Sequence, residues 1–202
     1  MLRFLGNRSC LVLVGVLFWS LCLGGCPDQG EGHVRGERLT LSACSELGAD
    51  VSLEPFHMEL DFMSLSRNES VIIMSFSSSE RRWPIPDLFV MTIDDGDALI
   101  EEIAAHGVAS RSVQDHAMGI SLSLSDTCAS PLQSLRAAVG EAQFYAMGTY
   151  KQARVTGEVA FELMDMRTGD TVGESFTADF DFEVLVGTPF QSFSTPESTG
   201  AP

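Results

Sequence analysis

The chain has 202 residues, twelve Lys and Arg against twenty-eight Asp and Glu, and a formal net charge of −16. That balance excludes nucleic acid as a partner class, because such binding rests on neutralising phosphates with Lys and Arg. Past the leader the chain offers one lysine, Lys151, scattered arginines, and a single adjacent basic pair, Arg81-Arg82. Thirteen phenylalanines and regular apolar runs exclude a disordered chain and suit one folding domain.

The first element is a leader. Arg3 and Arg8 precede an apolar run, Leu11 to Leu21 (LVLVGVLFWSL), and Leu23-Gly24-Gly25-Cys26 closes it. The run has the length of a secretory signal core and is short for a membrane span. The segment resembles the signal peptide of bacterial lipoproteins, with Leu23 to Cys26 as the lipobox. The resemblance covers only about the first 26 residues. It implies cleavage after residue 25, acylation of Cys26 with diacylglycerol, and a membrane anchor in the cell envelope. The mature chain is then 177 residues long. Its charge becomes −18, since the leader carries two arginines and no acid. Such a charge opposes anionic head groups, so the acyl chains have to hold the protein by themselves. Pro27 and Asp28 follow the cysteine, whereas the familiar retention pattern places aspartate directly after it. The expected site is therefore the outer membrane.

With Cys10 and Cys22 in the leader and Cys26 taken by lipid, Cys44 and Cys128 remain. An exported pair in an oxidising compartment predicts one disulfide. The alternatives are a metal pair or two free thiols, and neither CxxC spacing nor a nearby His pair supports the metal.

Residues 26–37, rich in Gly, Pro and charge, read as a flexible tether, 38–187 as the folded domain, and 188–202 as a disordered tail. Within the domain, Leu39 to Ala43 alternates briefly. Phe56, Met58, Leu60 and Phe62 alternate with His57, Glu59 and Asp61, which predicts one strand with a wet face. Arg67-Asn68-Glu69 is a turn signal before the apolar run Val71 to Phe76. Leu88 to Ile93 is a further strand, stopped by Asp94-Asp95-Gly96-Asp97. Asp97 is a candidate cap for a short helix with Leu99, Ile100 and Ile103 on one face and Gly107 at its end. Met118, Ile120, Leu122 and Leu124 alternate. Ser130-Pro131 predicts a second short helix over 130–139, followed by a strand over 142–150.

The best local signal lies at the end of the domain. Val155, Val159, Phe161 and Leu163 share one parity, and Phe176, Ala178, Phe180, Phe182 and Val184 share the other. A hairpin turning at Arg167-Thr168-Gly169-Asp170 buries both sets on one face, and pairing Leu163 with Phe176 and Val159 with Phe180 satisfies this. Gly157 then faces a phenylalanine whose ring covers it. Glu158, Glu162, Asp179, Asp181 and Glu183 face water. Seven or eight strands with one or two short helices predict a mainly β fold, an antiparallel β-sandwich; the alternative is α+β with an antiparallel sheet.

Catalytic signals are sparse. G-x-S-x-G is absent, as are phosphate-cradling glycine loops and internal repeats. Of four histidines, His33 falls in the tether, His57 on the polar side of a strand and His106 at a helix end. His116, beside Asp115, is the one candidate for a hydrolytic site. Asp94, Asp95 and Asp97 are weak candidates for Ca²⁺, lacking the later glutamate of an EF-hand loop. Trp83, between Arg81-Arg82 and two prolines, is a candidate contact for a peptide or glycan, or else a cap on the core; Tyr145 and Tyr150 admit the same two readings. The leading expectation is a lipid-anchored, non-enzymatic envelope module that needs no cofactor and whose partner is an envelope protein or glycan. A carbohydrate-, peptide- or Ca-binding module is the alternative, with a hydrolase third.

Overall fold

The computed structural model describes residues 30–41, 44, 50–78, 86–128 and 135–184. In chain order the elements are β1 (Gly30–Gly36), β2 (Leu39–Leu41), β3 (Val51–Leu53), β4 (Phe56–Glu59), β5 (Phe62–Asn68), β6 (Val71–Ser77) and β7 (Leu88–Ile93). Helix α1 (Gly96–His106) follows, then β8 (Ala109–Ser112), β9 (Met118–Ser123), β10 (Leu135–Met147), β11 (Arg154–Asp165) and β12 (Thr171–Glu183). Ten strands form one antiparallel sheet in the order β4-β1-β12-β11-β10-β9-β7-β6-β5, with β8 also pairing to β10; β2 and β3 form a second, small sheet. The expected class, an antiparallel, sandwich-like β fold with a short helix, is what forms.

The large sheet curls so that its two halves face each other. Phe76 on β6 lies 5.1 Å from Phe180 and 5.6 Å from Phe182 on β12. Phe89 on β7 stacks on Phe161 of β11 at 5.6 Å. Phe176 touches both Phe56 and Phe161, and Phe144 touches Phe180. These phenylalanines form one connected array, almost wholly shielded from water. Each buried ring contributes roughly 1.5–3 kcal/mol of transfer free energy, so this array is the main stabilising feature. A disulfide joins Cys44 to Cys128, with Cα atoms 5.0 Å apart, and ties the segment after β2 to the segment after β9. On the chain-entropy model a loop of this size is worth about 4–5 kcal/mol.

The terminal hairpin keeps the expected faces in a different register. Val159 pairs with Ala178, Phe161 with Phe176, and Gly157 with Phe180. The turn is tighter than expected: the Asp165 N–H donates to the Asp170 carbonyl, and the Gly169 N–H to the Asp165 carbonyl. Two register shifts then follow, between Phe161 and Leu163 and between Leu163 and Met164, with Ser175 at φ 57°. Each inserts an extra residue on β12. Two such insertions restore the parity, so the apolar sets still meet. Gly157 does lie under an aromatic ring: a Cβ there would come 2.8 Å from the Phe180 ring.

Four other expectations change. Residues 30–36 are not a tether but β1, inserted between β12 and β4. Hence the folded unit begins at or before Gly30, earlier than residue 38. Only Val34 is a large apolar residue in this strand, and glycine lets the backbones close: a Cβ on Gly32 would lie 2.6 Å from the Asp179 carbonyl oxygen. The single strand expected over 56–62 is two strands. At Leu60 and Asp61 the chain changes partners, Leu60 N–H donating to Gly32 and Asp61 N–H to Ser77, and the buried parity flips from even to odd. The second helix over 130–139 is overturned from Leu135 onward, where thirteen residues run as β10 against β11; neighbour pairing overrides the local helix signal. Residues 130–134 lie outside the described set. Finally, Asp97 lies in the first turn of α1 rather than at its cap. Asp95 holds the cap position, and Gly107, at φ 77°, closes the helix with its N–H on the Ile103 carbonyl.

Candidate functional site

Cys26, Arg81, Arg82 and Trp83 all fall outside the described residues, as do the leader and the tail over 188–202. The aspartates around Gly96 are placed, and their carboxylates go to separate cations. Asp95 accepts from Arg111 Nε at 2.8 Å, while Asp97 pairs with Arg67 on β5. Arg111 is buried and also donates to Glu102 of α1 at 2.8 Å. Burial opposes its charge, but its two carboxylate partners outweigh this and raise its pKa. These acids therefore clamp α1 to β8. Asp94 is exposed. His106 ends α1 as expected, and His116 sits exposed on a turn at φ 57°. Tyr145 and Tyr150 are both exposed, and Tyr145 donates to Glu158 at 2.6 Å.

The acidic strand residues do form a solvated face. Glu158, Glu162, Asp179 and Glu183 are exposed, and Arg154 forks onto both oxygens of Asp181, which also accepts from Thr156 at 2.9 Å. Arg154 is the main reason that the Asp181 carboxyl is held below the usual carboxylate range. A shallow groove of about 350 Å³ crosses this face between Glu141, Gln143, Glu158 and Asp179.

At one edge of the same face, three side chains of metal-ligating type converge: His33, His57 and Glu59. The sheet dictates this meeting. His33 of β1 pairs directly with Glu59 of β4, and Arg35 pairs with His57. Alternation puts Glu31, His33 and Arg35 of β1 on the outer side, together with His57 and Glu59 of β4, while Val34 and Met58 point into the core. His33 Nδ1 lies 2.6 Å from Glu59 Oε2, and His57 Nε2 lies 2.6 Å from Glu59 Oε1. The two imidazoles stack at 5.6 Å. His33 Nδ1 is shielded from water, yet its approach to Glu59 lacks hydrogen-bond alignment. The His57 hydrogen bond leads in lowering the Glu59 pKa, with the nearness of His33 adding to it. The Arg35 guanidinium, on the same strand as His33, lies 3.6 Å from Asp179. Beside β4 runs a groove of about 460 Å³, whose lining includes His57, Glu59, Asp61, Asp87 and Asp126.

Sequence reasoning missed this cluster because it assigned His33 to a tether. The available signals were the His57-x-Glu59 spacing, which puts both side chains on one face of a strand, and the shared parity of Glu31, His33 and Arg35. Neither names the partner strand. Comparison with protein-family models, with curated proteins and with solved structures finds no match to this chain.

Proposed function

We propose that this chain is a lipid-anchored, non-enzymatic β-sandwich module of the bacterial cell envelope, held through Cys26 and presenting its outer faces to an envelope protein or glycan. The outer membrane is the favoured location. The observation that carries this reading is the lipobox resemblance at Leu23-Gly24-Gly25-Cys26, set just ahead of the folded unit. Three residues separate Cys26 from the start of β1 at Gly30, and the four steps between them span at most about 14 Å when extended. A body so close to its anchor stands against the bilayer rather than reaching far from it. Its −18 charge keeps it from lying flat on anionic lipid, leaving the acyl chains as the attachment.

Metabolic labelling with a palmitate analogue, comparing wild type with Cys26→Ala, tests the anchor. Label confined to the wild-type chain and to the membrane fraction is expected. Equal labelling of both chains overturns the reading.

A further inference from the structure

We infer that His33, His57 and Glu59 form a binding site for one divalent metal ion of the zinc class, with a coordination position left open to the groove beside β4. Two imidazoles and one carboxylate are the protein donors of zinc sites that keep a water or an incoming ligand in the remaining position. The donors come from two hydrogen-bonded strands, so their Cβ positions are set by the sheet rather than by a loop. One donor atom of each residue lies within 4.8 Å of the others. A tetrahedral ion bound at about 2.0–2.2 Å needs its donors roughly 3.3–3.5 Å apart. The two His–Glu distances of 2.6 Å therefore have to open by less than about 1 Å, and a donor pair as far apart as 4.8 Å has to close by about 1.3–1.5 Å. His57 and Glu59 are half-exposed, so their side-chain torsions are the freedom available for this adjustment.

Charge favours a cation. Asp61, Asp87 and Asp126 line the adjoining groove, and Asp179 lies across β1 from the cluster. The cationic side chain of the same strand, Arg35, lies 3.6 Å from Asp179. Binding replaces the His–Glu contacts with His–metal and Glu–metal bonds, and any proton held between an imidazole and the carboxylate is released to solvent. The groove leaves space for water or for a donor group of a partner on the open side. This site does not depend on Cys26 or its lipid.

The test is isothermal titration of the full chain, stripped with chelator, with Zn²⁺ in a non-coordinating buffer. Co²⁺ absorption reports the coordination. One ion per chain is expected, together with the visible bands of a four-coordinate Co²⁺ site with nitrogen and oxygen donors. His57→Ala should weaken binding by about 100-fold or more, since even residues behind metal ligands account for 10–100-fold. Glu162→Gln, on the same outer face but two strands away on β11, should leave the affinity unchanged. His33→Ala should match His57→Ala. Should it disturb β1 and unfold, His57→Ala carries the test, because His57 lies half-exposed on an edge strand. Absence of saturable binding overturns the inference. So does equal weakening by His57→Ala and Glu162→Gln, which assigns the ion to the acidic face at large.

Discussion

The β11–β12 hairpin and strand β1 lie side by side in one sheet and are built on different principles. The hairpin carries a phenylalanine, valine, alanine or leucine at nearly every inward position, and its strands supply half of the aromatic array. It would bury an apolar face with any suitable cover. β1 reads GEGHVRG and has one large inward side chain, Val34. Its place comes from β12 on one side and β4 on the other, and from glycines small enough to let those backbones approach. The hairpin therefore provides stability, and the strand that depends on it provides the chemistry at His33. Lesions in the two should separate accordingly.

The largest effect is expected inside the hairpin. Phe180→Ala removes a ring that touches Phe76 and Phe144 and covers Gly157, and should cost about 3–5 kcal/mol in urea unfolding. A loss below 1 kcal/mol would show that the array is not the core of the stability. Next comes the docking of β1. Gly32→Ala forces a Cβ against the backbone of Asp179 and should cost about 1–3 kcal/mol. Amide exchange should quicken in β1 and β4 while β11 keeps its protection; uniform loss of protection would mean that the two regions are one cooperative unit.

The smallest effect sharpens the account of the hairpin turn. Asp165 is buried at the end of β11 and accepts from the Arg167 side chain at 2.8 and 3.2 Å and from its backbone N–H at 2.8 Å. The Arg167 side chain is the main cause that holds this carboxyl below the ordinary range. A depressed carboxyl contributes stability that is fully present above its unfolded pKa, near 3.9, and that is lost as pH falls through the lower folded value. Asp165→Asn should therefore be less stable than wild type at neutral pH. Its stability should fall less than that of wild type when pH is taken below about 4. Parallel acid limbs in the two chains would remove Asp165 from the account.

Legibility in the sequence followed the source of the ordering energy. Apolar runs marked β6 and β7, and alternation marked β9, β11 and β12, because those strands carry their own apolar faces; in the hairpin it sorted inward from outward residues. Cysteine arithmetic, following from the lipobox resemblance, led to the Cys44–Cys128 bond. β10 was misread near Leu135 because a proline-led segment with helical spacing precedes it, and pairing with β11 outweighed that preference. β8, four residues long with two of them polar on the exposed side, offered no periodic signal at all.

What the residues determine by themselves is the fold class, the helix that ends at Gly107, the acidic outer face and the faces of the final hairpin, since each depends on spacing within a single segment. What only the tertiary structure decided is the partnership of strands. The hairpin register depended on two inserted residues in β12, the break at Leu60 on a change of neighbour, and the burial of β1 on strands far away in the chain. The His33–His57–Glu59 cluster belongs to that second class. His57 and Glu59 share a face by period, but His33 stands 24 positions before His57 in the sequence, and only backbone pairing between β1 and β4 sets it within reach.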